Sequence, residues 1–93
     1  MSDGEARVTV RISNRRGLHA RASAKFCALA ASWEAAVKVS KDGYTVGGCS
    51  IMGLLTLGAG PGSDIEIAAT GPQADEAIHA LRSLVEDKFG EES

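Results

Sequence analysis

Aromatic side chains are scarce in this sequence: Phe26, Trp33, Tyr44 and Phe89 are the whole set in 93 residues. Four scattered rings offer no platform for stacking bases, and a formal charge of -2 leaves no surplus of Lys and Arg to replace the counterions around a phosphate backbone. The short Arg15-Arg16 pair does not reverse that, so the sequence argues against nucleic acid as a partner. Cysteine occurs twice, as Cys27 and Cys49, too few for a disulfide framework and without the close paired spacing of a structural zinc site. Both read as free thiols. Adding His19 and His79 still brings no two ligands to chelating spacing, so no metal and no cofactor are expected. Long apolar runs are missing too. The longest, Ile51 to Ala59, is broken by Gly53, Thr56 and Gly58 and falls far short of the ~20 residues of a membrane span. The start Met1-Ser2-Asp3-Gly4-Glu5 is polar and acidic where a secretory signal would be basic and then apolar. The expectation is a cytoplasmic protein with no membrane insertion.

What is present is an ordinary globular composition, 44% apolar and 24% charged, enough for one core and one domain over residues 1–93, with an ordered part of about 6–89. Alternation over Ala6, Val8, Val10 and Ile12 predicts a half-buried strand. An alanine-rich stretch from about Ala20 to Ala31 sets Ala22, Phe26, Leu29 and Trp33 at helical steps. Alternation around Val37 and Val39, then Asp42-Gly43, then Tyr44-Thr45-Val46, predicts a hairpin. Ser50 is placed to cap a short helix of about Ile51 to Leu57. Ile65, Ile67 and Ala69 mark a fourth strand, Asp64 to Ala69. Ala74, Ala77, Ile78, Leu81, Leu84 and Val85 mark a last helix of about Gln73 to Phe89, stopped by Gly90. The order βαββαβα, with one apolar face per strand and one stripe per helix, predicts an α+β fold: a four-stranded antiparallel sheet covered on one side by three helices.

His19 falls where the loop after the first strand becomes a helix. Unpaired amides and the positive end of the helix dipole favour an anion there. A free imidazole nitrogen is a nucleophile toward a phosphoryl group. Arg21 supplies a planar, permanently charged donor array suited to phosphate, Arg16 stands nearby in the loop, and Gly17 frees the backbone for close approach. The residue types place no general-base carboxylate beside the histidine, which favours transfer to a partner over hydrolysis. The plainer alternative is that His19 only caps the helix while Arg21 is a solvated first-turn residue.

The segment Gly17-Leu18-His19-Ala20-Arg21-Ala22-Ser23 closely resembles the phosphorylation-site motif of HPr, the histidine-containing phosphocarrier family of the bacterial phosphoenolpyruvate-dependent phosphotransferase system (PTS). A second segment, Ser50-Ile51-Met52-Gly53-Leu54-Leu55-Thr56-Leu57-Gly58, resembles the family's regulatory-serine helix at the family's spacing. The element order matches as well, so the resemblance runs from about Ala6 to Phe89 and implies the HPr-like open-faced β-sandwich.

That resemblance implies a stoichiometric carrier and not an enzyme: His19 would take phosphate from phosphorylated enzyme I and pass it to enzyme IIA proteins, with Arg21 and the Gly17 backbone around the phosphate. Ser50 aligns with the serine modified by HPr kinase/phosphorylase. Leu18, Ile51, Met52, Leu54 and Leu55 are expected as a docking patch on a monomer. A nitrogen-related, NPr-like branch serving regulation and not sugar uptake is the alternative. Cys49, where many members carry a basic residue, and Gly47-Gly48 depart from the usual pattern around Ser50.

Overall fold

The computed structural model describes residues 5–93. Strands β1 (Glu5–Arg11), β2 (Ala36–Lys41), β3 (Tyr44–Gly47) and β4 (Asp64–Thr70) form one antiparallel sheet in the order β1-β4-β2-β3. The expected fold class and element order are those observed. Period-two patterning decides which face is covered. In β4, Ile65, Ile67 and Ala69 are buried while Asp64 and Thr70 are exposed, and in β2 Val37 and Val39 are buried between exposed Ala36 and Lys38. The open face carries polar and charged pairs, Arg7 with Glu66 and Arg11 with Asp64, each at 3.2 Å and well exposed. Such surface pairs contribute little, roughly 0.2–1 kcal/mol each.

The β2–β3 hairpin closes on the two residues between Lys41 and Tyr44, which pair across it. Asp42 and Gly43 have φ of 51° and 86°, the two positive values that a hairpin turn matching strand twist requires. Three helices cover the other face: α1 (Ala20–Ala31), α2 (Ile51–Thr56) and α3 (Ala74–Glu86). Helix α3 packs on β1 and β4, and α1 packs against both other helices. Phe26 of α1, Leu54 of α2 and Leu81 and Val85 of α3 meet Ile65, Ile67 and Val39 in a single core. Ala22, Ala30 and Ala77 are fully buried as well, so small side chains let helices and sheet approach closely. Among the described residues no helix is long and apolar enough to cross a membrane.

Three expectations need correction. Trp33 does not belong to the apolar stripe of α1: the helix ends at Ala31, Ser32 caps it with its hydroxyl on the Leu29 carbonyl at 2.6 Å, and Trp33 is half-buried beyond it. Ile12, expected as the last residue of the first strand, lies just past β1. It is fully buried and bonded to the loop before β4, its N–H to Ser63 O and its carbonyl to Gly62 N–H. The last helix does not run to Phe89. Helix α3 ends at Glu86, and a separate 3-10 turn, Lys88–Gly90, follows, in which Lys88 and Phe89 adopt φ of 56° and 57°. Helical spacing could not reveal that break, because Phe89 is still required by the core and is fully buried there.

Truncating Phe89 to alanine should therefore destabilise the fold by about 3–5 kcal/mol, the usual loss for a buried aromatic. The shift of the urea unfolding midpoint measures it.

Candidate functional site

The loop from β1 to α1 is set by one close backbone approach. Gly17 has φ of +67°, and a Cβ there would stand 2.5 Å from the Ala59 carbonyl oxygen and 2.8 Å from Gly60 Cα. Only glycine satisfies both the left-handed backbone and the contact. The approach lets the Leu18 N–H donate to Ala59 O at 2.9 Å, and buries the Leu18 side chain. The Ser23 hydroxyl donates back to Leu18 O at 3.2 Å. His19 is thereby fixed as the N-cap residue of α1, extended at φ -77° and ψ -178°.

Both ring nitrogens of His19 have neighbours. The Arg21 backbone N–H donates to Nδ1 at 3.3 Å, so the ring does cap the helix, although the bond is long. The first turn of α1 contains no acidic residue, so no side chain of that turn offsets the positive end of its dipole. Nε2 meets the carboxylate of Glu91. The sequence offered no carboxylate beside the histidine, and the structure supplies one from 72 positions away. The break after α3 turns the chain back across the start of α1, a path that helical periodicity could not show.

Asn14 joins the two segments. It is fully buried, and its amide donates to Gly17 O at 2.8 Å and to Glu91 Oε1 at 3.0 Å. The Lys25 ammonium donates to Phe89 O at 2.7 Å and secures the turn. Hydrogen bonds from Asn14 and then His19 hold the Glu91 carboxyl below its ordinary range, over a smaller opposing effect of burial, with the His19 and Lys25 charges adding to the lowering. Arg15, Arg16 and Arg21 line a cleft of about 280 Å³ together with Glu91, Glu92 and Ser93. Arg16 also borders a second cleft of about 200 Å³, with His19, Leu18 and the Gly58–Gly60 loop. Chemically, this is a half-buried imidazole at a helix amino terminus, flanked by guanidinium groups that suit an anion.

Ser50 lies elsewhere. It is exposed and caps α2, its hydroxyl accepting from the Gly53 N–H at 3.0 Å. The six residues of α2 rise about 9 Å, and its far end runs into the Gly58–Gly60 loop at the His19 cleft. Met52 is 72% and Ile51 40% exposed, and Leu55 is half-buried. Leu18 and Leu54 do not join them: both lie in the core, at 5% and 0% exposure, because one seats the loop and the other is the side of α2 that faces the core. The exposed apolar patch on this helix is thus narrower than expected.

Fold and site together define a small α+β domain of the phosphocarrier class. The crystal structure of HPr-C-His from Thermoanaerobacter tengcongensis superimposes with a TM-score of 0.90 at 42% identity, covering 95% of this chain and 99% of that one. The family model for the PTS HPr component phosphorylation site matches residues 6–87. Phosphocarrier protein HPr of Cupriavidus necator is 46% identical over 80 residues, 86% of this chain and 90% of that protein. Phosphocarrier protein NPr of Shewanella violacea is 38% identical over 84 residues, 90% and 92% of the two chains. The chain belongs to the HPr family of PTS phosphocarriers, a family of carrier proteins.

A carboxylate whose folded pKa is lowered adds stability above its unfolded value and loses it as pH falls through the folded value. The tie from Glu91 to Asn14 and His19 should therefore be complete above pH 4.5, the ordinary value, and be lost only below it. A carbon-detected NMR titration of the Glu91 carboxyl should show a midpoint below 4.5.

Proposed function

We propose that His19 is the phosphoryl-accepting residue, charged by phosphorylated enzyme I and discharged to enzyme IIA proteins of the PTS. The observation that carries this reading is the placement of His19 as N-cap of α1, with Nδ1 toward amides that have no acidic partner in the first turn and Arg21 two residues on. A phosphoryl group on Nδ1 would gain those amides and the exposed guanidinium of Arg21, and positioning with charge stabilisation is most of what phosphoryl transfer asks of a protein. The carrier works as a monomer in the cytoplasm, and exposed Met52 and Ile51 with half-buried Leu55 form the surface its partners share.

Ser50 is the regulatory position. A phosphate on its exposed hydroxyl adds nearly two negative charges beside Ile51 and Met52, which would repel acidic partner surfaces. Family members named NPr, 38% identical over most of the chain, favour a second reading in which the phosphate serves a nitrogen-related regulatory branch. Separate incubation with enzyme IIA proteins of the two branches, taken from the same cell, distinguishes the readings.

Phosphoenolpyruvate plus enzyme I should add one acid-labile phosphate, mapped to His19 by mass spectrometry, absent in His19→Ala and retained in Ser50→Ala. Labelling that survives in His19→Ala rules the site out. Incubation with HPr kinase/phosphorylase and a nucleotide should instead give acid-stable phosphate at Ser50, and equal labelling of Ser50→Ala would remove that assignment.

A further inference from the structure

Two non-glycine residues in succession, Lys88 and Phe89, adopt left-handed backbone at φ 56° and 57°, a conformation unfavourable to side chains with a Cβ. The turn is held by what surrounds it: the Phe89 ring is fully buried, and Lys25 of α1 bonds the Phe89 carbonyl at 2.7 Å. Its product is the position of Glu91. One carboxylate oxygen receives the Asn14 amide at 3.0 Å, and the other faces Nε2 of His19. Asn14 also holds the Gly17 carbonyl at 2.8 Å, so the residue that orients Glu91 shapes the loop that orients His19.

The two contacts of the ring specify one arrangement of its proton. An ionised carboxylate can only accept, so the nitrogen facing Glu91 carries hydrogen. A backbone N–H can only donate, so the nitrogen facing Arg21 N carries the lone pair. We propose that Glu91 is the positioning residue of the carrier histidine: it holds the proton on Nε2 and thereby presents the Nδ1 lone pair to the incoming phosphoryl group. This rests on the reading of His19 as the acceptor.

The transfer then balances without a proton relay. The Nδ1 lone pair forms the new N–P bond as the bond from phosphorus to the donor breaks, its electron pair leaving with the donor group. The ring becomes a phosphoimidazolium whose Nε2 proton still faces Glu91. When an acceptor attacks phosphorus, the N–P pair returns to Nδ1 and the neutral ring is restored with its proton in place. Glu91 therefore removes no proton. Its negative charge offsets the positive charge that appears on the ring, while the exposed guanidinium of Arg21, the residue whose backbone N–H meets Nδ1, is the cation available to the phosphoryl oxygens. A carboxylate that orients an imidazole and sets its tautomer, without itself being protonated, serves the same purpose in hydrolytic triads.

The test uses histidine labelled with 15N and phosphoramidate, a small donor that makes no docking contacts, alongside phosphorylated enzyme I. In the wild type the His19 Nε2–H should be visible in proton–nitrogen spectra, slowed in its exchange with water, and Nδ1 should resonate as an unprotonated nitrogen. Glu91→Ala should lose the protected proton signal and accept phosphate about tenfold more slowly or worse from both donors, the loss expected for a hydrogen bond to a charged group. Glu91→Gln keeps an acceptor oxygen at that place, so it should retain the Nε2–H signal and recover part of the rate. A role limited to holding the tail would not move the nitrogen signature, and backbone amide spectra verify that both variants fold. A wild-type ring carrying its proton on Nδ1, or phosphate reaching His19 of Glu91→Ala at the wild-type rate, overturns the positioning role alone. Phosphate mapping away from His19 in the wild type overturns the carrier reading and this one with it.

Discussion

A single buried carboxamide, that of Asn14, holds the two ends of this domain in register. Through its two N–H bonds it fixes the Gly17 carbonyl on one side and the Glu91 carboxylate on the other. Both N–H donors of this buried side chain are paired, while its Oδ1 has no hydrogen-bond partner among the described residues, so the donors alone set the geometry of the tie. In that geometry the loop after β1 and the turn after α3 converge on His19. The sheet and the helices serve as the frame that brings these distant segments within reach of one side chain.

The division of charge at the site follows from that convergence. The exposed guanidinium groups of Arg15, Arg16 and Arg21 share one cleft with Glu91, whose carboxylate also meets Nε2 of His19. An imidazole with a carboxylate on one nitrogen and helix amides near the other is polarised along one axis. Helix α2 leaves Met52 and Ile51 exposed.

Elements were legible in the sequence wherever local periodicity and burial agreed. The alternation of Val37, Val39, Ile65 and Ile67 and the Asp42-Gly43 turn each state a strand or a hairpin in a few residues. The capping role of Ser50 could be read because a side-chain oxygen before a helix bonds only to its own first turn. Where the structure departs from the local pattern, a tertiary demand overrides it. Phe89 continues the helical spacing of α3, yet the chain reaches its buried place through a left-handed turn. Leu18 and Leu54 look like spare apolar residues on a short helix and a loop, and the core absorbs both.

The local sequence determined that this domain has a histidine at a helix amino terminus, a glycine before it and an arginine after it, since those relations span a few residues and need only backbone geometry. Tertiary structure decided that Nε2 of His19 faces Glu91, that Asn14 bridges loop and tail, and that α2 leaves two apolar side chains exposed. Those contacts join residues up to 77 positions apart. Their formation depends on packing and on the pairing of buried polar groups, which no window of neighbouring residues encodes.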